Sequence, residues 1–288
     1  MDLIILKNKD VQAVFSSLRG MNLIRFQVDG IDVIDQNTTP LFEDRFAGLG
    51  SLIGPHFHHR PVNQIQPVPS ESLFPHIARL KANGVTEPFS HGIARYAPWK
   101  VQSSESSITA KLSGEDLWNG VPLSALEGFP FQMELLASLL PKGISLDFSV
   151  ESKNPSLIGL HYYYTLPLEG GRIKAAVENK YRIQEEWKPI PSSFLDQEGH
   201  LSFDATQEVD VGFIPKKTKN DFEIFYENAQ FVLRISFQVE GDEASWQLYR
   251  PKGASYICIE PLSTRNPRHP ISKKSRLQVK IEVMETKA

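Results

Sequence analysis

The stretch "FQMELLASLLPKGISLDFSVES", residues 131–152, decides the fold class. From Gly143 onward its apolar residues recur at every second position. Ile144, Leu146, Phe148 and Val150 alternate with Ser145, Asp147 and Ser149. Successive side chains of a strand point to opposite faces, so a period of two gives one apolar face and one polar face. Pro141-Lys142-Gly143 interrupts the pattern with turn-forming residues, and the stretch predicts two antiparallel strands joined by a tight turn.

The same period extends in both directions. "NLIRFQVDGIDVID", residues 22–35, sets Asp29-Gly30 between two apolar runs, the strongest short hairpin signal. "WKVQSSESSITAKLSG" (99–114), "RIKAAVENKYRI" (172–183), "QFVLRISFQV" (230–239) and "RLQVKIEVM" (276–284) add strands. Helical windows are few: residues 72–81 and 183–188 each predict a turn or two. The expected fold is all-β, a large antiparallel β-sandwich with few short helices. "KPIPSSFLDQEG", residues 188–199, is the best candidate for a break, but the strands on both sides look alike. It reads as a long loop within one domain spanning 1–288.

Composition narrows the function classes. The chain has 288 residues, 41% hydrophobic and 23% charged, enough for a sizeable core. Net charge is −3, the pI is about 6.3, and no segment concentrates Lys or Arg, which argues against a nucleic-acid partner. No run approaches the ~20 apolar residues of a membrane helix. The N-terminal "MDLIILKNKDV" lacks the basic lead and small-residue cleavage site of a secretory signal. Cys258 is the only cysteine, so neither an intrachain disulfide nor a thiolate metal site is expected, and a reducing cytoplasm fits.

Three segments carry groups suited to chemistry. In "SHGIARYAPWK" (90–100), His91, Arg95 and Trp99 recur at helical spacing, but Gly92 and Pro98 oppose a helix, so a loop entering a strand near Trp99 is expected. In "SLIGLHYYYTLP" (156–167), strand register puts Gly159, His161, Tyr163 and Thr165 on one face, opposite Ile158, Leu160, Tyr162 and Tyr164. In "SYICIEPLSTRNP" (255–267), Tyr256, Cys258 and Glu260 share a face, and Pro261 is expected to stop the strand. Taken singly, each has an ordinary reading: a loop histidine capping backbone groups, a satisfied strand histidine, a carboxylate reaching solvent.

Together, the segments resemble a known family. "HGIARYAPW" is similar to the His-Gly-x-Ala-Arg-(x)3-Trp signature of the aldose 1-epimerase (galactose mutarotase-like) family. "GLHYYYTLP" resembles its second histidine segment, and "ICIEPLSTRNP" its C-terminal Cys-x-Glu-Pro segment. "LRGMNLIRFQVDGIDVI" resembles its opening hairpin. The matches run in family order from about residue 19 to 267. The resemblance implies a β-supersandwich and interconversion of the α and β anomers of an aldose. It implies His161 as general acid, Glu260 as general base, and His91 as a supporting histidine near the ring oxygen.

That chemistry suits these groups. Anomer exchange needs the C1 hydroxyl to lose a proton while the ring oxygen gains one. The ring opens, C1 turns, and closure on the other face reverses both transfers. An acid and a base suffice, each contributing roughly 10²–10⁴-fold, and no cofactor is expected. A neighbouring Glu260 carboxylate is expected to favour protonated His161.

Other residues would hold the sugar. The resemblance places Asp210 in "EVDVGF" against sugar hydroxyls, with Asp204 in "LSFDAT" competing. Arg60 ends "GSLIGPHFHHRP", a segment placed like the family's Gly-Arg-(x)2-Asn-Arg run, with His59 standing for its asparagine and Pro55 for its first arginine. Arg95 and Tyr163 complete the set of candidate substrate contacts. His56, His58 and His59 raise a metal site, since His56 and His58 would point the same way in an extended segment. No companion ligand has matching spacing, and no metal is expected.

Two rivals stay open. A hexose-6-phosphate 1-epimerase would use Arg60, Arg79, Arg95 or Arg265 for phosphate. A carbohydrate-binding protein without activity would keep the sandwich alone. The partner in each case is a small-molecule sugar, neutral or phosphorylated, bound by a monomer or homodimer without membrane or nucleic acid.

Overall fold

The computed structural model describes residues 2–58, 60, 62–217, 221–240 and 243–287. The deciding stretch forms strands Phe131–Leu140 and Gly143–Ser152, closed by a two-residue turn with Leu140 paired to Gly143. Ile144, Leu146, Phe148 and Val150 are buried, while Ser145, Asp147 and Ser149 are half-buried on the other face. Asp29 and Gly30 have φ of 52° and 81° between Asn22–Val28 and Ile31–Asp32. Positive φ at both central residues matches the right-handed twist of the strands they join.

Two antiparallel sheets contain these strands. The first runs Leu3–Lys7, Val11–Ser16, Asn22–Val28, Gly50–Ile53, Gly159–Thr165, Tyr256–Leu262, Ser245–Arg250, Val209–Pro215, Val177–Ile183, Glu186–Lys188, with Ile31–Asp32 at its side. The second runs Leu201–Asp204, Gly171–Ala175, Phe222–Asn228, Phe231–Glu240, Lys274–Thr286, Gly143–Ser152, Phe131–Leu140, Ser107–Ser113, Lys100–Ser103. One continuous apolar core draws on both, from Phe15, Phe26 and Tyr162 in the first to Phe148, Tyr226 and Ile281 in the second. Strand makes up 49% and helix 12%, which confirms the all-β sandwich. Strands before and after residues 188–199 pair with one another in both sheets. Among the described residues, no helix is long and apolar enough to cross a membrane.

Three local expectations change. Window 72–81 supplies helix His76–Ala82, but 183–188 is a hairpin: Ile183 pairs with Glu186 around Gln184, whose φ is 53°. Pro261 does not end its strand, which continues to Leu262. Proline lacks the N–H that a ladder requires. The pairing to Gly159–Thr165 accordingly skips from Ile259↔Tyr162 to Leu262↔Gly159, and the sheet closes again beyond the gap.

Segment 90–100 is a loop with one 3-10 turn, Ile93–Arg95, entering strand Lys100–Ser103 as expected. Gly92 has φ of 90°, and a Cβ there would lie 1.9 Å from the Gly54 carbonyl oxygen. His91 itself adopts φ of 68°, a region most side chains avoid. Gly54 N–H donates to its carbonyl at 2.9 Å, and its own N–H donates to the His58 carbonyl at 3.3 Å.

Candidate active site

The face of the first sheet turned away from the core carries two rows of side chains, fixed by strand register. Arg182 pairs with Gly212, Gly212 with Gln247, and Gln247 with Glu260. Two residues along, Asp210 pairs with Tyr249, Tyr249 with Cys258, and Cys258 with Tyr163. Residues of one strand spaced by two share a face. His161 joins them from Gly159–Thr165, at the gap beside Pro261. Loop residues Phe57, His58, His91 and Arg95 stand over these rows and enclose a cavity of about 360 Å³.

The expected acid–base residues meet there. His161 Nε2 lies 3.4 Å from Glu260 Oε1, and both residues are buried. The His91 and His161 rings meet edge to face, 4.8 Å between centroids. The His58 backbone N–H donates to His91 Nδ1 at 3.3 Å, which puts the proton of a neutral imidazole on Nε2. Tyr163 lies flat on Tyr256, 4.0 Å between centroids, with His161 5.1 Å away on its other contact.

Burial sets the protonation of the pair. Glu260 is pushed up to about 8, first by burial and then by the charge of Asp210. A hydrogen bond from Cys258 and the cations Arg95 and Arg182 pull it back only partly. His161 is held well below its usual value by burial, with Arg95 and His58 adding to the effect. The expected imidazolium–carboxylate attraction is therefore overturned. In the protein alone the proton rests on Glu260 and the imidazole is neutral, because neither charge is adequately solvated. Among the described residues, Glu260 Oε2 has no hydrogen-bond partner.

Arg95 is 4% exposed and lines the cavity, its Nε donating to the Phe46 carbonyl at 2.7 Å. Asp210 also lines it and accepts from Gln247 Nε2 at 2.6 Å. Asp204 sits in the second sheet, accepting from Thr206 N–H and Oγ1. Of the two candidates, Asp210 faces the cavity.

Arg60 does not. Its Nε donates to Glu87 Oε1 at 2.6 Å and its Nη1 to the Glu127 carbonyl at 2.7 Å. His56 joins them, Nδ1 2.6 Å from Glu127 Oε1 and Nε2 3.1 Å from Glu87 Oε1. Burial opposes charge on His56, but Glu127 and Glu87 outweigh it and raise its pKa. Glu87 is held down to about 2 by His56 and Arg60 despite its own burial. Two cations thus balance two carboxylates inside the protein, and Arg60 is committed to them. His56 and His58 part company because His58 has φ of 53°, so the segment is not extended. His59 lies outside the described residues.

Cys258 lies beside the candidate acid–base pair. His161, Cys258 and Glu260 each offer a ligand atom within 4.8 Å of the others, close enough for one metal ion by distance. The thiol, however, meets Nδ1 of the imidazole at 3.4 Å while Glu260 meets Nε2. Burial and Glu260 push the thiol well above its usual value, which opposes the thiolate a metal needs.

The sequence did not reveal Arg182, Gln247, Tyr249, Arg45 or Arg268, all of which line the cavity. Arg182 is buried, donating from Nη1 to the Gln184 carbonyl at 2.7 Å and from Nη2 to Gln247 Oε1 at 2.9 Å. Gly212 makes this possible: a Cβ there would come within 2.9 Å of both Arg182 Nη2 and Gln247 Oε1. The one available signal was an arginine alternating with Tyr181 and Ile183 in a predicted strand.

No protein-family model matches the chain, and no curated protein matches it in sequence. Solved structures do match in architecture. A galactose mutarotase-like protein from Lactobacillus casei has a TM-score of 0.69 at 14% identity, over 98% of this chain and 99% of that one. A galactose mutarotase related enzyme from Lactobacillus acidophilus gives 0.69 at 14%, over 99% and 98%. A GalM/aldose epimerase homologue from C. elegans gives 0.58 at 13%, over 99% of each. At such identities the likeness is one of fold, and it agrees with the resemblance drawn from the three motifs. In architecture, this chain is a galactose mutarotase-like β-sandwich.

Proposed function

We propose that the protein is a sugar mutarotase, interconverting the α and β anomers of an aldose by acid–base ring opening and reclosure. The observation that carries this reading is the buried His161–Glu260 contact at 3.4 Å on the floor of a cavity of about 360 Å³. That volume lies within the ~300–1,000 Å³ of small-molecule sites. The pair shares one proton, so one member can give a proton while the other takes one. When sugar hydroxyls donate to Glu260 Oε2, they stabilise the carboxylate, and the proton crosses to His161. His161 then protonates the ring oxygen while Glu260 takes the C1 hydroxyl proton, and His91 Nε2–H steadies the ring oxygen. After C1 turns, closure on the opposite face returns both protons. Asp210, Arg95 and Tyr163 orient the sugar.

Direct NMR measurement of anomer exchange over neutral hexoses, pentoses and hexose phosphates tests the proposal. Glu260→Gln and His161→Asn should each lower kcat by roughly 10²–10⁴-fold while KM changes little. Near-wild-type turnover in either variant removes that residue from the mechanism. Sugar binding with no acceleration of exchange by the wild type would instead favour a carbohydrate-binding protein.

One observation favours an anionic sugar as a second reading. Arg95 and Arg182 are buried at the cavity, and neither has a carboxylate within ion-pair distance among the described residues. Buried cations are normally paired, and a sugar phosphate would supply the missing charge. A preference for glucose 6-phosphate over glucose and galactose in the same panel would establish it.

A further inference from the structure

Phe57 and Arg268 line the catalytic cavity and also a larger groove of about 960 Å³ on their far side. Both are only partly buried and border both spaces, and we take them as a rim between the two. We infer that this groove is a second saccharide subsite, and that the sugar whose C1 meets His161 and Glu260 is the reducing end of a longer saccharide. This rests on the mutarotase reading above.

With His91 at the ring oxygen, we take the sugar to lie with C5 and its C6 toward Phe57, whose ring is 5.2 Å from His91 between centroids. A second unit joined through O6 therefore passes over the rim into the groove. Its walls suit an uncharged, hydroxyl-rich guest. The amides of Asn63, Gln64, Gln66 and Asn154 each offer donors and an acceptor, and Phe129 adds an apolar face. The groove's charges are largely spent on one another. Glu185 holds Arg268 at 3.1 Å and His269 at 3.7 Å, and His56 and Arg60 are held by Glu87 and Glu127.

The test measures anomer exchange by NMR on glucose, isomaltose (1→6) and maltose (1→4), for the wild type, Gln64→Ala and Asn154→Trp. Both substituted positions are exposed and lie only in the groove. The expected result is a kcat/KM for isomaltose about tenfold or more above glucose, abolished by Asn154→Trp and reduced by Gln64→Ala, with glucose rates unchanged. Equal kcat/KM for glucose and isomaltose in the wild type overturns the subsite, as does an equal effect of Asn154→Trp on both sugars. A preference for maltose over isomaltose overturns the 1→6 direction. If no sugar is turned over, the mutarotase reading fails, and calorimetric binding of isomaltose still decides the groove. Affinity lost in Asn154→Trp supports it, and no binding by the wild type overturns it.

Discussion

At the scale of single residues, Glu260 and His161 titrate in opposite senses and divide the pH axis between them. Glu260 is raised from 4.5 to about 8. Between those values the folded protein retains a proton that the unfolded chain has released, so stability falls as pH rises, by at most ~1.4 kcal/mol per unit. His161 is lowered from 6.5, so the folded protein refuses a proton that the unfolded chain takes, and stability falls as pH drops below 6.5. The two slopes oppose each other below 6.5, leaving Glu260 alone between 6.5 and 8. Glu260→Gln should therefore gain stability relative to wild type as pH rises from 6 to about 8, then hold level; urea denaturation across that range measures it. A constant difference between the two proteins would refute the buried, protonated carboxyl. The same ionisation should cut kcat/KM for sugar roughly tenfold per unit above about pH 8 as the pair loses its proton, which an exchange–pH profile reads directly.

At the scale of elements, what the sequence disclosed and what it withheld divide along one line. Alternation within a strand is local, so it put Leu160 and Tyr162 in the core and His161 and Tyr163 on the other face. Register between strands is not local. Nothing in "NKYRIQ" tells Arg182 that Gly212, Gln247 and Glu260 lie beside it in one row. Nor could spacing tell Asp210 from Asp204, which differ in the sheet they join. Arg60 was legible as a cation near the site but not as one already claimed, because Glu87 arrives from a loop and Glu127 from the end of helix Leu123–Glu127, both distant in sequence. Gly212→Ala should displace Arg182 from Gln247 and weaken sugar binding with little loss of stability, seen as a rise in KM. Glu127→Ala should behave differently. It leaves His56 and Arg60 short of a carboxylate and removes the acceptor that holds Ile93 N–H at 3.3 Å, two residues from His91. Breaking such a buried set costs about 3–5 kcal/mol, and thermal unfolding should show it.

At the scale of the whole molecule, the fold class was readable because nearly every segment repeats the same period, whereas the strand order of each sheet was not. The first sheet sets Gly50–Ile53, Gly159–Thr165 and Tyr256–Leu262 side by side, although 105 residues separate the first from the second and 90 the second from the third. In the second sheet the strand nearest the C-terminus, Lys274–Thr286, takes the central place, fifth of nine. Removing residues 274–288 should therefore abolish folding altogether and not merely trim an edge, as circular dichroism of the shortened chain would show. For synthesis the arrangement has a price in time. A nascent chain on the ribosome has no His161–Glu260 contact until Glu260 has emerged, and no closed second sheet until Lys274–Thr286 is free to insert. Until then its half-built sheets present open strand edges, surfaces prone to pairing with other chains.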